Sequence, residues 1–176
     1  MTSKDIAPET AYEGKYLSVL KKGRWEYVAR RNTTGVVIVL AVTPDGDLLL
    51  VEQFRPPVGT TVIELPAGLA GDIAGMEDED LSVAARRELE EETGWTAETL
   101  IRLTSGPVSA GLTSEVVTFY RAENLSRIGE GGGDESEDIT IHSVPLKDVP
   151  AFLAAREESG ALVDPKVYAA LYFARA

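Results

Sequence analysis

Four glutamates crowd the stretch "AARRELEEETGW", residues 84 to 95: Glu88, Glu90, Glu91 and Glu92. In a helix they would occupy the last turns, where free carbonyls and the dipole favour cations over anions. Arg86 and Arg87 stand four residues before Glu90 and Glu91 and can pair with them. Glu88 and Glu92 are left over. Lying about 40° apart around a helix axis, they form a like-charge pair that repels unless a cation sits between them. A hard divalent ion such as Mg²⁺ or Mn²⁺ takes one or two carboxylates, keeps several waters and completes its shell with substrate phosphates. The plainer alternative is a solvated acidic face. The loop "ELPAGLAGDIAG" just upstream favours the metal, because its Pro and Gly residues let a backbone approach a ligand.

A helix must hold these carboxylates, and the pattern supplies one. From Glu79 to Thr93, Leu81, Ala84, Ala85 and Leu89 share one face, and Gly94 stands where a C-terminal cap belongs. Around it the chain is rich in strands. "YLSVLKKGRWEYVARR" gives a hairpin about Lys-Lys-Gly-Arg. "GVVIVLAV" and "LLLVEQF", joined by "TPDGD", read as buried neighbouring strands. "TTVIELPAG" is a short strand stopped by Pro66, and "TLIRLTS", "EVVTFYRA" and "ITIHSVP" are further strands. Asp164 reads as an N-cap before Pro165 and a last helix through "KVYAALYFA". The order predicts an α/β protein, a mixed sheet with helices packed on it.

Composition narrows the function. The 176 residues, 44% hydrophobic and 26% charged, suit one soluble main domain. No cysteine, no apolar leader and no run of about 20 apolar residues points to a cytoplasmic protein with no membrane span. A net charge of −12 opposes nucleic-acid and membrane binding, so phosphate chemistry here requires metal ions.

Arg87-Glu88-Leu89-Glu90-Glu91-Glu92-Thr93-Gly94-Trp95 fills the pattern REUxEExGU, with U aliphatic or aromatic, and so resembles the core of the Nudix hydrolase box. Glu79 occupies the place of the box glutamate eight residues before the arginine. The box glycine has Ile73 at its usual spacing, so its equivalent is Gly68, followed by a lengthened loop. "VEQFRPPVGTTVIELPAGL", "SAGLTSE" and "VDPKVYAALYFA" resemble the ADP-ribose pyrophosphatase branch. The resemblance implies a Nudix fold in residues 33–176 and an N-terminal β-hairpin, within residues 1–32, exchanged in a homodimer. It also implies metal-dependent cleavage of a nucleoside diphosphate sugar into a nucleoside monophosphate and a sugar phosphate.

Site residues carry over position by position. The resemblance assigns the metal, Mg²⁺ or Mn²⁺, to Glu88, Glu91, Glu92 and the backbone of Ala67, and groups Arg87 with the catalytic residues. Arg55 is expected at the diphosphate or ribose, Glu64 beside the metal site, and Gly111 and Leu112 at the substrate. Trp25 either packs or stacks on a base bound across the dimer. His142, the sole histidine, reads as structural. "GEGGGDESED", residues 129 to 138, reads as a flexible linker by composition. By resemblance it is a mobile loop that delivers a general base, Glu137 ahead of Glu135. Ala110 replaces a proline common in members specialised for ADP-ribose. Two rival functions remain: a non-catalytic nucleotide-sugar sensor, and a Nudix hydrolase of nucleoside triphosphates or dinucleoside polyphosphates.

Overall fold

A computed structural model describes residues 6–133 and 137–174; Glu135 lies outside the described residues. Its organising element is β4 (Gly35–Ala41), apolar throughout because both of its faces are covered. Successive side chains of a strand point to opposite sides, so Val36, Ile38 and Leu40 enter one core while Val37, Val39 and Ala41 enter another. The first core is closed by β5 (Asp47–Arg55), β6 (Thr60–Glu64), α2 (Val149–Glu158) and α3 (Pro165–Ala174), through Leu48, Leu50, Ile63, Leu153 and Val167. The second is closed by α1 (Leu81–Thr93), whose Ala84, Ala85 and Leu89 are fully buried.

Two four-stranded mixed sheets result, flanked by helices. One has the order β7-β4-β9-β8, with β7 (Ala67–Ala70), β8 (Trp95–Pro107) and β9 (Val116–Arg127). Its β4 and β9 run parallel, Val36 opposite Val117. The other has the order β10-β5-β6-β11, with β10 (Thr140–Pro145) and β11 (Leu162–Val163), and β11 runs parallel to β6.

The expected pairing of "GVVIVLAV" with "LLLVEQF" needs correction. After the turn at Gly46 (φ 87°) the chain crosses to the other sheet, and only an isolated bridge, Val42 to Leu48, joins the two strands. A strand with two apolar faces needs cover on both, and β5 provides it from the opposite layer. "TTVIELPAG" likewise divides at Leu65-Pro66 into β6 and β7, one in each sheet.

The N-terminal hairpin is β2 (Leu17–Lys22) and β3 (Trp25–Arg30), turning at Gly23. A third strand, β1 (Glu9–Glu13), extends it into a separate antiparallel sheet. The sheet docks on its own chain: the Val28 N–H donates to Leu112 O at 2.8 Å, Ser114 N–H to Val28 O at 3.0 Å, and Arg30 pairs with Glu115. Among the described residues no helix is long and apolar enough to cross a membrane.

Candidate active site

Helix α1 is set at its start by Asp80, whose Oδ1 accepts the Ser82 N–H at 2.7 Å as an N-cap. Gly94 ends it in a left-handed conformation, φ 72°. Between them Arg87 ties helix, loop and strand together. Its Nε and Nη2 meet Glu79 Oε1 and Oε2 at 3.2 and 3.3 Å, and Nη2 also donates to Leu69 O at 2.8 Å. Its Nη1 donates to Glu88 Oε1 at 2.8 Å and to Glu91 Oε2 at 3.1 Å. Burial works against the Arg87 charge, but the Glu79 hydrogen bond and the surrounding carboxylates outweigh it and hold its pKa above the ordinary value. The expected Arg86–Glu90 pair does not form. Arg86 reaches Glu98 O instead, and Glu90 accepts from Thr96.

Glu92 lies on the buried face of α1, 2% exposed. Its hydrogen bond comes from the Ala67 N–H to Oε2, at 3.0 Å. Ala67, whose backbone the resemblance assigns to the metal, is thereby held against Glu92. Burial drives the Glu92 pKa up to about 9, with the Ala67 bond opposing and the charges of Glu88 and Glu137 adding. Burial likewise raises Glu88 to about 7 against the pull of Arg87. Gly68 explains how Glu88 fits: a Cβ there would lie 1.9 Å from the Glu88 carboxyl carbon.

These groups open into one cleft of about 440 Å³, lined among others by Arg55, Glu64, Ala67, Gly68, Arg87, Glu88, Glu91, Glu92 and Glu137. Arg55 Nε donates to Glu64 Oε2 at 2.6 Å. The donor chemistry fits a hard divalent cation: buried carboxylate oxygens with like-charged neighbours and too few N–H partners. Among the described residues no three acidic or imidazole groups converge tightly enough to hold an ion as they stand. Arg87, bonded to both Glu88 and Glu91, holds those two carboxylates to itself.

The glycine-rich loop departs from a flexible linker. Ile128 and Gly129 donate N–H bonds to Gly94 O at 2.8 and 3.0 Å, Gly132 to Glu92 O at 2.9 Å, and Gly133 to Glu91 O at 3.0 Å. Carbonyls at a helix C-terminus lack partners within the helix, and this loop supplies them.

Trp25, Gly111 and Leu112 do not line this cleft. Trp25 is 45% exposed with the Arg24 guanidinium 5.7 Å from its ring, and Leu112 is 62% exposed. His142 is structural in its contacts: Nε2 lies 2.8 Å from Glu52 Oε2, and its ring packs on Phe152. Arg30, Asp72, Glu115 and Lys166 also line the cleft and carried no expectation. Lys166 follows Asp164-Pro165 and pairs with Asp164, while Glu115 ends "SAGLTSE". Their segments were marked by the resemblance, but no local spacing gave these side chains chemistry.

The NUDIX domain family matches residues 31–169. The ADP-ribose pyrophosphatase of Bacillus subtilis is 35% identical over 164 residues, spanning 89% of this chain and 86% of that protein. The GDP-mannose pyrophosphatase of Yersinia enterocolitica is 32% identical over 145 residues, 80% of this chain and 73% of that one. A solved structure described as an ADP compounds hydrolase superposes with a TM-score of 0.64 over 82% of this chain and 80% of that chain, a likeness of fold at 22% identity. The match runs through α1 and both four-stranded sheets, and the chain belongs to the Nudix family.

Proposed function

We propose that the chain hydrolyses the diphosphate bond of ADP-ribose or a related nucleoside diphosphate sugar, releasing a nucleoside monophosphate and a sugar phosphate. The observation that carries this reading is the gathering of Glu88, Glu91 and Glu92 with Arg55 and Arg87 in one cleft. Relatives named as ADP-ribose and GDP-mannose pyrophosphatases support the substrate class. Glu88, Glu91, Glu92 and the Ala67 backbone would hold Mg²⁺ or Mn²⁺, which when bound neutralises diphosphate charge and acidifies a water. Arg87 keeps Glu88 and Glu91 in place. Arg55, steadied by Glu64, offers planar paired donors to phosphate oxygens. Glu137 takes the proton from the attacking water, since a carboxylate bound to metal has little basicity left. Glu135 is the second candidate for that task.

Trp25, Gly111 and Leu112 stand apart from the cleft of their own chain. In this reading they serve a second copy, in a cytoplasmic homodimer whose N-terminal hairpin crosses to the partner and stacks Trp25 on the base. Light scattering at micromolar concentration then gives twice the 18.9 kDa of one chain; a monomer overturns the exchange. The reaction is tested with Mg²⁺ and a panel of ADP-ribose, ADP-glucose, GDP-mannose, NADH and nucleoside triphosphates. Monophosphate release from a diphosphate sugar is expected. Turnover of triphosphates alone, or of nothing in the panel, overturns it.

A further inference from the structure

Gly133 touches two parts of the site at once. Its N–H is bonded to the Glu91 carbonyl at the end of α1. On its other side stands Glu137: a Cβ built on Gly133 would lie 2.5 Å from Glu137 Oε2 and 2.8 Å from Glu137 Cβ. The backbone here is left-handed, φ 82°, a conformation that glycine adopts without steric cost. Gly131 packs the same loop against α1, since its Cβ would fall 2.4 Å from the Thr93 carbonyl carbon. The loop therefore approaches the helix end, and Glu137 approaches the loop, more closely than residues with side chains allow.

We propose that Gly133 is a positioning residue for the hydrolysis, the seat that fixes the Glu137 carboxylate relative to the carboxylates of α1. This rests on the reading of Glu137 as general base. Any side chain at position 133 claims the space that Glu137 occupies, and Glu137 must move. A displacement of about 1 Å at a reacting group costs on the order of 10²-fold in rate. The seat is anchored to the end of α1 by the Gly133 N–H bond to Glu91 O. No other glycine in the loop has this contact: Gly129 and Gly132 have open space where a Cβ would be.

Gly133→Ala, Gly46→Ala, Glu137→Gln and the double variant Gly133→Ala/Glu137→Gln test this with Mg²⁺ and the best diphosphate sugar of the panel. All are assayed below the melting temperature of the weakest. Gly46 has a matching φ of 87° and nothing near its missing Cβ, so its variant reports backbone strain without displacement. Gly133→Ala is expected to lower kcat by about 10²-fold with KM little changed, the mark of an interaction made in the transition state. On top of Glu137→Gln it should add less than about threefold, because both changes act on one group. Glu137→Gln with near-full turnover overturns the base and the seat together. Where Glu137→Gln is impaired, a Gly133→Ala no slower than Gly46→Ala, or a double variant with multiplied losses, overturns the seat alone.

Discussion

Among the described residues two carboxylates are buried in strand or helix, Glu52 at 8% exposure and Glu92 at 2%, and they are treated in opposite ways. Glu52, on β5, accepts from His142 Nε2 and from Arg156. Each oxygen has a partner, and the group joins β5, β10 and α2. Glu92 receives one backbone N–H and faces the charges of Glu88 and Glu137. A buried anion with donors on both oxygens is part of the framework; one with a single backbone donor and like charges around it stores an unfavourable interaction that a proton or a metal cation relieves.

Neutralising each should separate them. Glu92→Gln is expected to cut turnover by about 10³-fold, the scale of losing a main electrostatic contact to the reacting group. The metal-free protein should melt no lower than the unaltered chain, and a turnover within tenfold of it would break the contrast. Glu52→Gln should do the reverse. It removes the charge that Arg156 pairs with, leaves one acceptor oxygen for the two donors and costs about 2 kcal/mol of stability, read by urea unfolding, with kcat retained.

A smaller effect comes with pH. The folded pKa values of Glu88 and Glu92, about 7 and about 9, lie above the ordinary 4.5. Their protonated forms therefore contribute stability that is complete below pH 4.5 and is lost as pH rises through 7 and 9. The metal-free melting temperature should fall across that window, and Glu92→Gln should flatten the fall. Magnesium should oppose it, by about 2.7 kcal/mol at a hundred times its dissociation constant. Calorimetry with and without Mg²⁺ at pH 6 and 8.5 measures both; a melting temperature indifferent to Mg²⁺ at the higher pH removes the metal from Glu92.

Much of the site was legible because it is local. Arg87 to Gly94 lie on one helix with its cap, so spacing alone set their geometry, and Glu79, eight residues before Arg87, is bonded to it. Gly68 was placed despite the lengthened loop. What escaped depends on which strands meet. β4 and β5 have the apolarity of any buried pair, and nothing in their periodicity says that the turn between them changes layer. Arg30 and Lys166 reach the cleft from elements far apart in sequence. Composition also misread the glycines of 129–133, because the partners that hold them are carbonyls of α1, which side-chain patterns do not display.

The parallel pairing of β4 with β9 bears on how the chain assembles. Between Val36 and its partner Val117 lie β5, β6, β7, α1 and β8, and contacts so distant along the chain are slow to form. Until they form, the sheet against which α1 packs lacks its centre. Glu92 therefore meets water in any form of the chain in which that sheet is open. Its dehydration comes with the closing of α1 on the sheet.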